Sequence, residues 1–183
     1  MAAKKLVIIG MGETAEIAYE YFTHDSDFTV AGFSVEKAYL DKDELHGLPV
    51  VPFEELGRHF PPQEFYAFVA VSSTKLNRVR TRLYRELKAI GYACASYVSS
   101  RAFVWRNVEI GENCFIFEHN TVQPFVRIGN NVILWSGNHI GHNTVINDNC
   151  FIASHVVISG FCEIGENCFL GVNSTIINNI SVA

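Results

Sequence analysis

The chain has 183 residues, 49% of them apolar and 18% charged, enough for one ordinary domain or two small ones with a packed core and too apolar for wholesale disorder. Fourteen Lys and Arg stand against 19 Asp and Glu, a formal net charge of −5, which argues against nucleic acid as the main partner. No apolar run approaches the roughly 18–20 residues of a membrane helix. The short run Leu6–Ile9 leads into Gly-Met-Gly rather than a signal-peptide cleavage site, so no membrane partner is expected and the location reads as cytoplasmic.

Residues 1–97 alternate strand and helix signals. Leu6–Ile9 is a β-branched run, followed by Gly10-Met11-Gly12-Glu13-Thr14-Ala15, after which Ala15, Ala18, Tyr21 and Phe22 recur at helical spacing. Phe28–Phe33, Pro49–Phe53 and Phe65–Val71 read as three further strands. Leu76, Val79, Leu83, Leu87 and Ile90 form one face of a helix, whose six basic residues, Lys75, Arg78, Arg80, Arg82, Arg85 and Lys88, read as a solvated surface. The alternation predicts a small α/β domain with a mainly parallel, Rossmann-like sheet.

From Val98 the pattern changes. Every sixth residue from Val98 to Val182 is Val, Ile or Leu, fifteen in a row, although these types make up only 45 of the 183 residues. Chance would produce that on the order of once in a billion, and a hexapeptide period is a β-helix signature. The position three further on is Asn in eight repeats (107, 113, 131, 143, 149, 167, 173, 179), which marks corners with left-handed backbone. The position four further on is mostly small and suits a tight interior. Four of the five cysteines, Cys114, Cys150, Cys162 and Cys168, fall there, and no Cys-x-x-Cys pair exists, so they read as core thiols. Gly111, Gly129, Gly141, Gly165 and Gly171 occupy the next position after the aliphatic, where close packing of coils favours glycine. Three units would make an 18-residue coil, stacked at about 4.8 Å. The period fixes neither the triangle nor its hand, and the general crossover rule favours a right-handed connection.

Residues 98–182 resemble the left-handed parallel β-helix of hexapeptide-repeat acyltransferases. The whole chain, including Ser136-Gly-Asn-His-Ile-Gly-His142, resembles the sugar acyltransferases of bacterial surface-glycan pathways. That resemblance implies two domains, 1–97 binding a sugar nucleotide and 98–183 forming the β-helix. It also implies an acetyl-CoA-dependent enzyme acetylating the amine of a nucleotide-linked amino sugar, acting as a homotrimer without a metal. O-acetylation of the sialic acid type stays open, as does a non-catalytic trimerising scaffold. The chain stops at Ala183 on the phase of the repeat, so it reads as truncated or as a shortened form lacking part of the acyl-CoA site.

Acyl transfer from a thioester needs a base and an oxyanion donor. His142 sits two residues after an aliphatic, near a corner, so its ring is expected to point outward. The resemblance makes it the base. Gly160 lies one coil above, and the resemblance makes its N–H the donor to the thioester oxygen. Asn143 stands where the family often has an acidic residue, and Phe151 where some members have a second histidine. An Asn fixes a tautomer but supplies no charge. Asn138 and His139, half a repeat before the base, are candidates for sugar contact, and their phases also allow structural roles. His119 and His155 share a column and invite a zinc reading, but two coils separate them by roughly 10 Å, too far for one ion.

Gly10, Gly12, Glu13 and Thr14 lie between a predicted strand and helix, where helix-start amides bind phosphate. Glu36 lies 24 residues beyond Gly12, close to the acidic position of a dinucleotide site, yet a domain of this size cannot hold the full two-half sheet. The resemblance makes this loop the seat of the sugar-nucleotide diphosphate. The stretch Phe33-Ser34-Val35-Glu36 replaces paired aspartates frequent in the family, so Ser34 and Glu36 are the candidates near the nucleoside. UDP, dTDP and GDP carriers all stay open.

Overall fold

The computed structural model describes residues 4–183. The chain divides into two compact units, one of residues up to Ser72 with Arg82–Ala95, the other of Ser73–Thr81 with Ser96–Ala183. The boundary therefore falls two residues earlier than the change of sequence pattern, and residues 73–81 join the repeat region.

In the first unit, β1 (Lys4–Ile9) leads into α1 (Glu13–His24) and β2 (Phe28–Val35). Then come β3 (Glu44–Leu45), β4 (Leu48–Pro52), α2 (Leu56–His59), β5 (Phe65–Val69) and the greater part of α3 (Arg78–Ile90). The sheet order is β3-β4-β2-β1-β5, parallel except for the β3–β4 pair. That edge hairpin escapes the strand signal because β3 has two residues. Its turn is legible afterwards: His46 and Gly47 both have positive φ, as a two-residue hairpin loop requires. Leu6, Val7, Ile8 and Ile9 are buried because strands flank β1 on both sides within a parallel sheet. Ala15, Ala18 and Phe22 form the buried face of α1, where Phe22 meets Phe68 edge-on at 4.9 Å. Chain order reverses at β1, between β2 and β5, and in open parallel sheets ligands generally bind beyond the strand carboxyl ends at such a reversal.

The second unit contains fifteen two-residue strands, β6 (Tyr97–Val98) through β20 (Ser181–Val182), in three parallel five-stranded sheets. Each strand pairs with the one 18 residues away, as in Thr121↔His139 and His139↔Val157. The coil is therefore three hexapeptides. The aliphatic of every hexad is the second residue of its strand, and from Val104 onward it packs into or against the interior. Ile116, Val122, Leu134, Ile140, Ile146, Ile152, Ile158 and Ile164 are completely buried, each contributing roughly 1.5–3 kcal/mol. Cys114, Cys150 and Cys162 share this interior, whereas Cys168 is half-buried. Burial pushes the Cys114 and Cys150 thiols up to about 12.

The corner column is left-handed at every repeat from Asn113 to Asn179, with φ between 55° and 78°. Asparagine dominates because its short polar side chain tolerates that conformation. At one corner Asn113 Nδ2 donates to Asn131 Oδ1 at 2.9 Å and Asn131 Nδ2 to Asn149 Oδ1 at 2.8 Å. Arg80 closes this ladder, donating to Asn131 Oδ1 and to the carbonyls of Asn131, Asn149 and Cys150 at 3.1–3.2 Å. Its guanidinium is fully buried, and burial lowers its pKa to about 10. The expected solvated face is thus wrong at Arg80. The apolar stripe also fails at both ends: Leu76 lies before α3 and is exposed while Asn77 is buried, and Ile90, the last residue of α3, is exposed.

Candidate active site

His142 lies on a second corner and is exposed, as its phase predicts. Its backbone N–H donates to Gln123 Oε1 at 2.9 Å. On the ring, Nδ1 lies 3.1 Å from Asn143 Nδ2. With that amide nitrogen donating, Nδ1 accepts and the neutral ring carries its proton on Nε2. A half-turn of the carboxamide presents Oδ1 instead, moves the proton to Nδ1 and frees Nε2. Phe161 meets the imidazole edge to face, with centroids 5.0 Å apart and planes at 90°.

Gly160 lies beneath this ring. A Cβ there would fall 2.9 Å from His142 Cε1 and 3.0 Å from Nε2, and no positive φ requires glycine. Close approach to the imidazole, rather than backbone conformation, explains the residue. The Gly160 N–H donates to Asn178 Oδ1 at 3.0 Å. The same arrangement recurs where Glu112 N–H meets Asn130 Oδ1 and Asn130 N–H meets Asp148 Oδ1.

Asn138 requires a correction. It belongs to the interior column, four residues after Leu134, and is 1% exposed. Its Nδ2 donates to the Trp135 carbonyl and its Oδ1 accepts from Val156 N–H at 2.7 Å. It holds the coil together and cannot touch a sugar. His139 sits on an outward strand position between Thr121 and Val157 and is half-buried. His119 and His155 are exposed corner residues with φ of 60° and 58°. The His155 ring lies over Gly137, whose added Cβ would sit 2.6 Å from Nδ1. Among the described residues no group of three or more His, Cys, Asp or Glu is arranged to hold a metal ion.

In the first unit, Gly10–Thr14 forms the turn from β1 into α1. Gly10 has φ 129°, and its N–H donates to the Ser34 carbonyl at 2.7 Å. An added Cβ would sit 2.8 Å from the Ala70 carbonyl oxygen, so glycine is required. Gly12 is the N-cap of α1, no side chain caps that end, and the space around its Cα is open. Glu13 is exposed and Thr14 half-buried in the first turn. The Ser34 hydroxyl is buried without a hydrogen-bond partner among the described residues. Glu36, directly after β2, accepts from Arg82 Nη2 at 2.8 Å. The sequence reading missed Gln123, Phe161, Asn178 and Arg82. The first three follow from the 18-residue coil, since they stand one coil from His142, Asn143 and Gly160, give or take one residue. Nothing in the sequence ties Arg82 to Glu36.

The family described as bacterial transferase hexapeptide (six repeats) matches residues 107–142, 125–160 and 143–178. No curated protein sequence matches the chain. The acetyltransferase domain of PglB from Neisseria gonorrhoeae FA1090, solved in complex with acetyl coenzyme A, is 20% identical. The alignment covers 98% of this chain and 85% of that one, with a TM-score of 0.84. PerB from Caulobacter crescentus, in complex with CoA and GDP-perosamine, is 19% identical over all of this chain and 93% of that one, with a TM-score of 0.65. WeeI from Acinetobacter baumannii AYE is 16% identical over 97% of this chain and 93% of that one, with a TM-score of 0.57. The hexapeptide repeats fit a left-handed β-helix, opposite to the hand of the general crossover rule. Residues 107–178 match the bacterial transferase hexapeptide family, and the chain carries the two-part fold of the PglB acetyltransferase domain and PerB.

Proposed function

We propose that the chain is an acetyl-CoA-dependent N-acetyltransferase of a nucleotide-linked amino sugar, with His142 as its general base. The observation that carries this reading is the exposed His142 ring, seated over Gly160 with Nδ1 against Asn143. PglB and PerB, which share the fold, support the class of donor and acceptor. The acceptor amine attacks the thioester carbonyl carbon while His142 Nε2 takes a proton from the nitrogen. The C–S bond then breaks, and the imidazolium returns that proton to the CoA sulfur. Asn143 Oδ1 holds Nδ1–H during this cycle. The acyl oxygen takes the place of Asn178 Oδ1 on Gly160 N–H, the exposed Asn178 carboxamide turning aside.

The Gly10–Thr14 turn receives the diphosphate of the acceptor, at an uncapped helix start with open space over Gly12. Glu36, held by Arg82, faces the nucleoside as the acidic residue after β2 does in dinucleotide folds, with Ser34 beside it. His139 remains a candidate sugar contact beside the base. We further propose a homotrimer formed through the β-helix. One of its faces presents Phe103, Trp105, Val157 and Ile177 to solvent, apolar area that copies of the chain would cover. The five cysteines form no disulfide among the described residues, which fits a cytoplasmic site of action. His142→Ala tests the reading. It should lower kcat by roughly 10²–10⁴ with little change in melting point, while His119→Ala and His155→Ala keep most activity. Wild-type turnover in His142→Ala would refute the mechanism.

A further inference from the structure

We infer that Phe161 is a positioning residue for the His142 imidazole. The inference rests on the reading of His142 as the base. The corner column that contains the site runs Asn107, Phe125, Asn143, Phe161, Asn179, whereas the column at 113, 131, 149 and 167 is entirely asparagine. Phe161 has φ 57°. There its Cβ crowds the following carbonyl, a conformation that asparagine tolerates better. Burial does not compensate, because 55% of Phe161 remains exposed. A bulky residue held in an unfavourable conformation without a core to fill calls for another explanation.

At Phe161, though not at Phe125 in the same column, the contact with His142 supplies one. The two rings meet at 90° with centroids 5.0 Å apart, an arrangement that aromatic quadrupoles favour. The backbone links the same residues, since Phe161 N–H donates to the His142 carbonyl at 3.0 Å. Asn143 touches the ring at Nδ1 and Gly160 lies beneath Cε1 and Nε2. An exposed histidine with one hydrogen bond would otherwise sample several rotamers, and Phe161 supplies a further contact that favours this one. Its effect is on how often Nε2 stands where a proton must be taken, which enters kcat rather than donor affinity.

Phe125 is an internal control. It occupies the same column one coil below Asn143, with φ 66° and 62% exposure, but makes no ring contact with His142. The test replaces each phenylalanine with asparagine, the residue the corner prefers, in the full-length protein. Steady-state rates are measured with acetyl-CoA and the best acceptor from a panel of nucleotide-linked amino sugars. Phe161→Asn should lower kcat by roughly 10–100-fold. The KM for acetyl-CoA should stay within about twofold, and melting point and sedimentation should be unchanged or improved. Phe161→Tyr, which keeps the ring, should restore most of the rate, and Phe125→Asn should stay near wild type. Overturning results would be wild-type kcat in Phe161→Asn, equal losses in both asparagine variants, or a loss that follows dissociation of the assembly. His142→Ala, assayed in parallel, separates the two failures. If it is inactive while Phe161→Asn is normal, only the positioning role falls. If it is fully active, the base assignment falls first.

Discussion

Gly160→Ala isolates the seat of the proposed base. The new Cβ would stand 2.9 Å from His142 Cε1 and 3.0 Å from Nε2. Carbon atoms at rest lie about 3.5–4.0 Å apart, so the ring must move by roughly 0.6–1 Å. Movement costs the fold little, because the imidazole is exposed and can swing toward solvent. Gly160 has no left-handed φ, but the Cβ would also stand 3.2 Å from the His142 backbone carbonyl oxygen, which offsets the gain of about 0.4–1 kcal/mol from removing a glycine from the unfolded chain. The N–H that the proposal uses for the oxyanion is retained. A misplacement of this size at a reacting group costs roughly a hundredfold, or about 2.7 kcal/mol of transition-state stabilisation. Following CoA thiol release, kcat should therefore fall by about two orders of magnitude. The melting point should stay within roughly 4 °C of wild type. Wild-type turnover in a well-folded Gly160→Ala protein would refute the claim that the ring works from its place over Gly160.

Three other predictions follow from the same geometry. Asn143→Asp places an acceptor-only carboxylate against Nδ1, so the proton sits there and Nε2 is free; kcat should rise, and a lower kcat in a folded Asn143→Asp protein would contradict the contact. Gly12→Val fills the open space at the start of α1 and should raise the KM for the sugar nucleotide while leaving acetyl-CoA affinity alone, which calorimetry checks with each substrate separately. Cys114 and Cys150 have thiols raised from 9.0 to about 12 in the folded chain, so stability is complete below pH 9 and declines as pH rises from 9 toward 12; Tm measured across that range should fall, and more gently in Cys114→Ala with Cys150→Ala.

The β-helix was legible because its interior repeats without a gap: each hexad aliphatic closes one strand, and the Asn column marks left-handed corners. Phase alone also turned His142 outward. For Asn138 the phase left a structural role open beside sugar contact, and the structure favours the structural one, its buried amide bonding the Trp135 carbonyl and Val156 N–H. Arg80 was misread. Charge on a helix is normally solvated, and only three-dimensional proximity brings the Asn131 and Asn149 carbonyls to its guanidinium. Such long-range partners leave no local periodicity, and the same holds for Arg82 with Glu36. Phe161, by contrast, carried a visible signal, a phenylalanine breaking an asparagine column, whose meaning depended on where the His142 ring lies.

The central claim is transfer of an acetyl group from CoA to the amine of a nucleotide-linked sugar. Mass spectrometry of a panel of amino-sugar nucleotides, each incubated with the protein and acetyl-CoA, tests it most directly. The account predicts that at least one gains a single acetyl group, that fragmentation places it on nitrogen, and that His142→Ala leaves the same compound unmodified. An acetyl group found on a hydroxyl would move the assignment to O-acetylation. No acetylation of any amino-sugar nucleotide, with acetyl-CoA intact and no stabilisation of the protein by CoA, would contradict the account and favour a scaffold.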